Sequence, residues 1–224
     1  MPTSQPVEVI RLSPWNETPY NTALAVQREL AEAGRTGWLL FCCPPTITLG
    51  KRAPATDVLL SREELERREI RVLEVDRGGQ ATYHGPGQVV GFPFGKLEDF
   101  IGDPRGVRAF VVRLKRVLAL FIARELWAAG DRERRVDAAR AEDAAGLWFD
   151  DGRKVVALGL GFGRAGIRHG FSLNLQPLER EFAAINPCGE KGALPGSVWR
   201  KAHDEAAFEG AVSRLIDILK AEHR

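Results

Sequence analysis

The stretch RGGQATYHGPGQVVGFP, from Arg77 to Pro93, holds five glycines, two prolines and one histidine. It lies between runs that read as strands, IRVLEV before it and QVVGFPF at its end. A single turn needs far fewer backbone-permissive residues. The spacing is neither GxGxxG nor that of a P-loop, so no nucleotide loop is read here. Gly78, Gly79, Gly85 and Gly87 instead bracket aromatic and polar residues. That arrangement favours a substrate lying against the main chain and meeting its N–H and C=O groups.

The rest of the chain mixes short strands with helices. VEVIRL predicts a strand over Val7–Leu12, and NTALAVQRELAEAG a helix with Asn21 as N-cap and Gly34 just past its end. WLLFCCPP reads as a buried strand containing Cys42 and Cys43, both taken as small buried hydrophobes. TITLGKR reads as a strand leading into a loop. Ser61 and Glu64 have capping-box spacing ahead of a short charged helix. Apolar residues from Val107 to Leu126 recur three and four apart, which marks a long helix burying one face. Its basic residues Arg108, Arg113, Lys115, Arg116 and Arg124 mostly fall off that stripe and read as a solvated face. The charged break over 131–146 reads as a linker, an insertion or a polar hairpin. LWFDDGRKVVALGLGFG predicts a hairpin turning at Asp151-Gly152, IRHGFSLNL a further strand, and Ala206–Leu219 a packing helix. This order argues α/β or α+β with a mixed sheet, and against a doubly wound parallel sheet.

A chain of 224 residues, 44% hydrophobic and 28% charged, suits one packed domain or one with a small lobe. A net charge of +2 points to no nucleic-acid partner and leaves a modest attraction to acidic proteins. No apolar run reaches the length of a membrane span. Met1–Trp15 lacks the basic start and apolar block of a signal peptide, so export is not expected. With three cysteines and no Cys-x-x-Cys, neither a disulfide framework nor a structural zinc site is expected, and a reducing cytoplasm is the default.

Among residues able to do chemistry, Cys188 sits in INPCGEKG, between breakers. A free thiol is only about 3% thiolate at neutral pH, and a neighbouring cation would raise that. The pattern alone leaves an inert cysteine and a nucleophile both open. Lys154 opens the apolar run KVVALGLG; a lysine there is ordinarily solvated, and burial is what would let it act as a base. His84 and His169 each precede a glycine and read first as structural hydrogen-bonding groups. No HExxH or paired acidic ligand set occurs, so a metal site is not indicated.

Taken together, RGGQATYHGPGQVVGFP, KVVALGLG, RHGFSLNL and INPCG, in that order, resemble the lipoyl(octanoyl) transferase family, which moves octanoyl groups from acyl carrier protein to protein lysines. The resemblance is close over the middle and C-terminal half and looser at the N-terminus. It implies a single catalytic domain over 1–224 with a mixed, largely antiparallel sheet flanked by helices, the fold of biotin and lipoate protein ligases. It implies a dyad in which Cys188 carries the acyl thioester and Lys154 lowers the pKa of its thiol. Its substrate-contacting segments fall on Arg77, Gly78, Gly79, Gln80, Ala81, Thr82, Tyr83 and His84, on Ala157, Leu158 and Gly159, and on Gly170, Phe171 and Ser172. The implied partners are octanoyl-acyl carrier protein as donor and, as acceptors, apo lipoyl domains of 2-oxoacid dehydrogenase complexes and the glycine cleavage H protein. No cofactor, metal, membrane or nucleic acid is implied, and the expected location is cytoplasmic. Departures from the family pattern are Arg52 where many members carry histidine, a glycine-rich GLGFGRAG, and Glu190 where an aromatic is frequent. Arg52 is assigned no role.

Overall fold

In the computed structural model, residues 7–13, 17–137, 145–164, 166–187 and 194–222 are described. Their strands are β1 (Glu8–Arg11), β2 (Gly37–Phe41), β3 (Thr46–Leu49), β4 (Arg71–Glu74), β5 (Ala81–His84), β6 (Gln88–Phe94), β7 (Gly146–Trp148), β8 (Lys154–Gly163) and β9 (Gly166–Asn174). Their helices are α1 (Tyr20–Glu32), α2 (Arg62–Arg67), α3 (Leu97–Ile101), α4 (Val107–Ala128), α5 (Glu179–Phe182) and α6 (Glu205–Ala221).

The larger sheet has the order β1-β2-β6-β9-β8-β7 and the smaller one β4-β3-β5. Only β1–β2 and β3–β4 run parallel; the other neighbours are antiparallel. The mixed, mainly antiparallel sheet flanked by helices is therefore as expected. The glycine-rich stretch is the passage between the two sheets. It supplies β5 to the smaller sheet, turns at Gly85–Gly87 and enters β6 of the larger one. Gly87 has φ +91°, a conformation that favours a residue without Cβ.

Alternation along the strands sorts side chains between two layers. On β2, Trp38 and Leu40 join the core with α4 and α6, while Leu39 and Phe41 join a second cluster with Tyr20 and Ala23 of α1. α4 buries Phe110, Leu114, Val117, Leu118, Phe121, Ile122 and Leu126 along its inner stripe, each contributing about 1.5–3 kcal/mol. Its polar residues depart from the solvated-face reading at Lys115, which is only 7% exposed. Glu125 is buried as well, and its carboxylate takes a two-point bond from Arg214 of α6 at 2.6 and 2.9 Å.

Two boundaries differ from expectation. Pro19 is the N-cap of α1, and Asn21 lies inside the helix; proline's fixed φ sets up the helix start without a side-chain cap. Cys42 and Cys43 follow the end of β2 rather than lying within it, yet both are fully buried. Burial raises both thiols, Cys43 to about 11, which fits their reading as small hydrophobes. The capping box at Ser61 and Glu64 is formed in both directions. The Asp151-Gly152 turn joins β7 to β8, with Phe149 N donating to Arg153 O at 2.9 Å.

Candidate functional site

A cavity of about 380 Å³ lies between the larger sheet and the glycine-rich stretch. Its floor follows from sheet register. Ala157 of β8 pairs with Ser172 of β9, and Gly159 pairs with Gly170. These four small residues line the cavity. Pairing two small positions across two strands sinks the floor toward the backbone and makes room. Val90, Phe92, Leu158, Phe171 and Trp148 supply apolar wall, and Gly79, Gln80, Ala81 and Thr82 supply the facing side. The cavity is thus an apolar slot with a polar rim, of a size that suits a small ligand.

Arg77 is a strut of this wall. It is 5% exposed. Its Nε donates to Thr48 Oγ1 at 3.2 Å, its Nη2 to Thr48 O at 2.7 Å and its Nη1 to Gly78 O at 3.0 Å. A Cβ at Gly159 would come within 2.8 Å of Arg77 Cδ, so that glycine makes room for the arginine.

The Arg77 bonds fix the state of His84. With guanidinium donors on its oxygen, the Thr48 hydroxyl proton goes to His84 Nε2 at 3.2 Å, and His84 Nδ1–H donates to Gln88 Oε1 at 2.8 Å. The network thus assigns a neutral, Nδ1-protonated ring. Burial, and next the Arg77 charge, push the His84 pKa down to about 3. Gln88 Nε2 passes the chain on to Asn174 Oδ1 at 2.8 Å.

His169 belongs to a separate relay. Its φ of 55° is rare for a side-chain-bearing residue. Nε2–H donates to Asp76 Oδ1 at 2.6 Å, leaving Nδ1 to accept from the Tyr20 hydroxyl at 2.9 Å. Burial lowers the His169 pKa against the pull of Asp76. The histidine bond, with help from the Arg168 charge, holds the Asp76 carboxyl below its ordinary value. Tyr20 stacks on both His84 and His169, with ring centroids 5.1 and 6.0 Å apart.

Lys154 lines the cavity, half-buried, with Nζ 4.7 Å from the centre of the Trp148 ring. The two residues are cross-strand partners in the β7–β8 hairpin. The Lys154 backbone bonds the chain that follows the INPCGEKG loop: its N–H donates to Leu194 O at 3.1 Å, and Gly196 N donates to its carbonyl at 2.7 Å. Cys188 lies outside the described residues, which stop at Pro187 and resume at Leu194.

The cavity brings together most of the expected substrate segments: Arg77, Gly79, Gln80, Ala81, Thr82 and His84, Ala157 to Gly159, and Gly170 to Ser172. Two do not line it. Gly78 lies beside Leu160 O, and Tyr83 points the other way, onto Phe182 with ring centroids 5.9 Å apart. Strand alternation explains Tyr83, because Thr82 and His84 on either side face the cavity. Gly85 corrects the substrate reading too, since the space beside it holds the Tyr83 ring itself. The cavity also takes in Tyr20, Arg52, Val90, Phe92, Ala145 and Trp148. Of these, Trp148 was not given by the expected two-residue turn, which would set Phe149 opposite Lys154; closure of the loop between Phe149 and Arg153 places Trp148 there instead. Tyr20 had no local signal; it arrives from another layer.

Comparison with known proteins gives the chain's relations. Residues 19–202 match the family model described as Lipoyl protein ligase A/B catalytic domain. A Porphyromonas gingivalis protein named Octanoyltransferase is 36% identical over 204 residues, spanning 84% of this chain and 39% of that protein. A Caldicellulosiruptor bescii protein of the same name is 31% identical over 205 residues, spanning 89% of this chain and 85% of that one. Among solved structures, lipoate-protein ligase A bound with ATP is similar at a TM-score of 0.63 and 12% identity, covering 97% of this chain and 85% of that chain. This last likeness is one of fold.

Proposed function

The chain belongs to the lipoyl protein ligase A/B catalytic-domain family, and from that premise we propose that it is an octanoyltransferase of protein lipoylation, acting as a single catalytic domain over 1–224. The donor is octanoyl-acyl carrier protein. The acceptor is the target lysine of an apo lipoyl domain, in 2-oxoacid dehydrogenase complexes or the glycine cleavage H protein. The observation that carries this reading is Lys154 lining the same cavity as Ala157, Gly159, Gly170 and Ser172.

In the first half-reaction the Cys188 thiolate attacks the thioester carbonyl of the donor. The carbon–sulfur bond to the carrier's phosphopantetheine breaks, that sulfur leaves and takes up a proton, and the octanoyl group becomes a thioester of Cys188. In the second, an uncharged acceptor amine attacks this thioester. Its surplus proton passes to neutral Lys154, the carbon–nitrogen bond forms, and Cys188 leaves as thiolate. This is covalent catalysis with an activated nucleophile. The Lys154 ammonium stabilises the attacking thiolate and gives its proton to the departing pantetheine sulfur; the proton from the amine then restores it beside the departing Cys188 thiolate. Exchange between thioesters is nearly balanced and thioester-to-amide transfer is downhill, so ATP has no part in the reaction.

The cavity accounts for acyl selection. Burying about six methylenes at ~0.8 kcal/mol each contributes roughly 5 kcal/mol over an acetyl group. Among the described residues no helix is long and apolar enough to cross a membrane. Purified chain mixed with octanoyl-carrier and an apo lipoyl domain, without nucleotide, tests the reading; the domain gains one octanoyl mass. Modification only with free octanoate and ATP would identify a ligase instead.

A further inference from the structure

The charged segment that begins at Asp131 has a definite target. Residues Leu194–Trp199, which follow Cys188 in the chain, form an arm held on three sides. Against β8, Lys154 and Pro195 form a parallel bridge, through the Leu194 and Gly196 bonds already described. Against β9, Asn174 Nδ2 donates to Gly196 O at 2.9 Å and Val198 N donates to Asn174 O at 2.9 Å. On the third side, Arg134 Nη1 and Nη2 donate to the adjacent carbonyls of Ser197 and Val198, both at 2.7 Å.

Arg134 is itself fixed. Its Nε donates to Asp131 Oδ2 at 2.8 Å, and its guanidinium lies 4.8 Å from the centre of the Phe149 ring. The Asp131 and Arg134 side chains are only 8% and 12% exposed. Burial works against the Asp131 charge, yet bonds from the Arg134 backbone and guanidinium, from Arg200 and from the Glu133 N–H hold its carboxyl far below the usual range. A planar fork that meets two successive carbonyls while a third donor meets a carboxylate is a geometry lysine does not reproduce.

We propose that Arg134, braced by Asp131, is a positioning residue for the reaction: it clamps the Leu194–Trp199 arm against Lys154 and so sets the register between Lys154 and the loop carrying Cys188. The proposal rests on the Cys188–Lys154 reading and adds to it a role for the post-α4 segment. Neither Arg134 nor Asp131 lines the cavity, so the clamp works through the arm. Its loss therefore lowers kcat and leaves the KM for octanoyl-carrier in place, because the cavity walls are untouched.

The test uses full-length Arg134→Ala, Arg134→Lys, Lys154→Ala and the Arg134→Ala/Lys154→Ala double variant. Three quantities are read: hydrogen exchange at the Lys154 and Gly196 amides, the pH profile of Cys188 alkylation followed on its own peptide by mass, and kcat with KM. Arg134→Ala is expected to speed exchange at both amides and to move the alkylation midpoint up toward that of Lys154→Ala. It should lower kcat by about 10- to 100-fold, the scale of a misplaced catalytic group. Arg134→Lys recovers part of each effect, and the double variant is no slower than Lys154→Ala alone. If Arg134→Ala does not fold, Asp131→Asn, which keeps the side-chain size and removes the brace, carries the same three readouts. A wild-type alkylation profile in a variant whose amides exchange faster makes the clamp structural only and overturns the proposal, as do effects that multiply in the double variant. An unchanged profile in Lys154→Ala removes the dyad and the clamp's role with it, and that result is read without touching Arg134.

Discussion

Acid sensitivity of the fold should trace to His84. The ring is held neutral by geometry: Arg77 donors on Thr48 direct the hydroxyl proton to Nε2, and Gln88 Oε1 takes the proton on Nδ1. Charging the ring would set a proton on Nε2 against that hydroxyl, inside a buried site beside a guanidinium. The folded pKa is therefore pushed down to about 3, against about 6.5 in the unfolded chain. Between those values the unfolded state binds more protons, so stability is full above pH ~6.5 and falls as pH drops, at up to about 1.4 kcal/mol per unit. Integrated from pH 7 to pH 5, His84 accounts for a loss of about 2 kcal/mol. His169, also lowered by burial, acts in the same direction. The lowered carboxylates Asp76 and Asp131 act further down, as pH falls through and below their ordinary value of 3.8. The assay is urea unfolding at pH 7 and pH 5 at constant ionic strength, for wild type and His84→Asn, whose amide takes the place of Nδ1–H. His84→Asn starts less stable at pH 7 but loses about 2 kcal/mol less than wild type on going to pH 5. Equal losses in the two proteins would refute the neutral-ring argument.

Other outcomes follow from the same geometry. Lys154→Ala should raise the alkylation midpoint of Cys188 by about 1–3 pH units, the usual effect of losing an adjacent opposite charge; a superimposable profile would contradict the role given to Lys154. Hexanoyl-carrier, two methylenes shorter, should show a kcat/KM about 15-fold below octanoyl-carrier, from ~0.8 kcal/mol per methylene, and Ala157→Leu should erase or reverse that preference by raising the cavity floor. Equal discrimination in wild type and Ala157→Leu would place the acyl chain elsewhere. At Gly170 a Cβ would fall onto the Gly91 carbonyl oxygen, so Gly170→Ala should cost about 2–3 kcal/mol in chemical denaturation. Gly163→Ala, with nothing within 4 Å of its Cβ, should stay within about 0.5 kcal/mol of wild type.

What sequence could show of this molecule was what is local. The Ser61–Glu64 box, the α4 stripe and the Asp151-Gly152 hairpin each arise within a few residues, and each is found in the structure. The glycine-rich stretch was legible as a site, but its glycines answer to different neighbours: Gly87 to a turn conformation and Gly85 to the Tyr83 ring. Such distinctions depend on what another layer places opposite, which no spacing along the chain encodes. The same holds for Tyr20 on α1, which reaches His169 across 149 positions of sequence. It holds too for Arg134, whose partners at Ser197 and Val198 come from the far side of β9 in the chain. The charge of Lys115 suggests a solvated residue, but its position beside Leu114 and one turn before Leu118 puts it on the buried face.

The proposed mechanism requires the thiol at position 188 to accept the acyl group. Intact-mass measurement after mixing the chain with octanoyl-carrier, in the absence of a lipoyl domain, tests that step directly. Wild type should gain the mass of one octanoyl group, lose it when an apo lipoyl domain is added, and Cys188→Ala should gain none. A wild type that stays unmodified, or a Cys188→Ala variant that is acylated as readily, would contradict the mechanism.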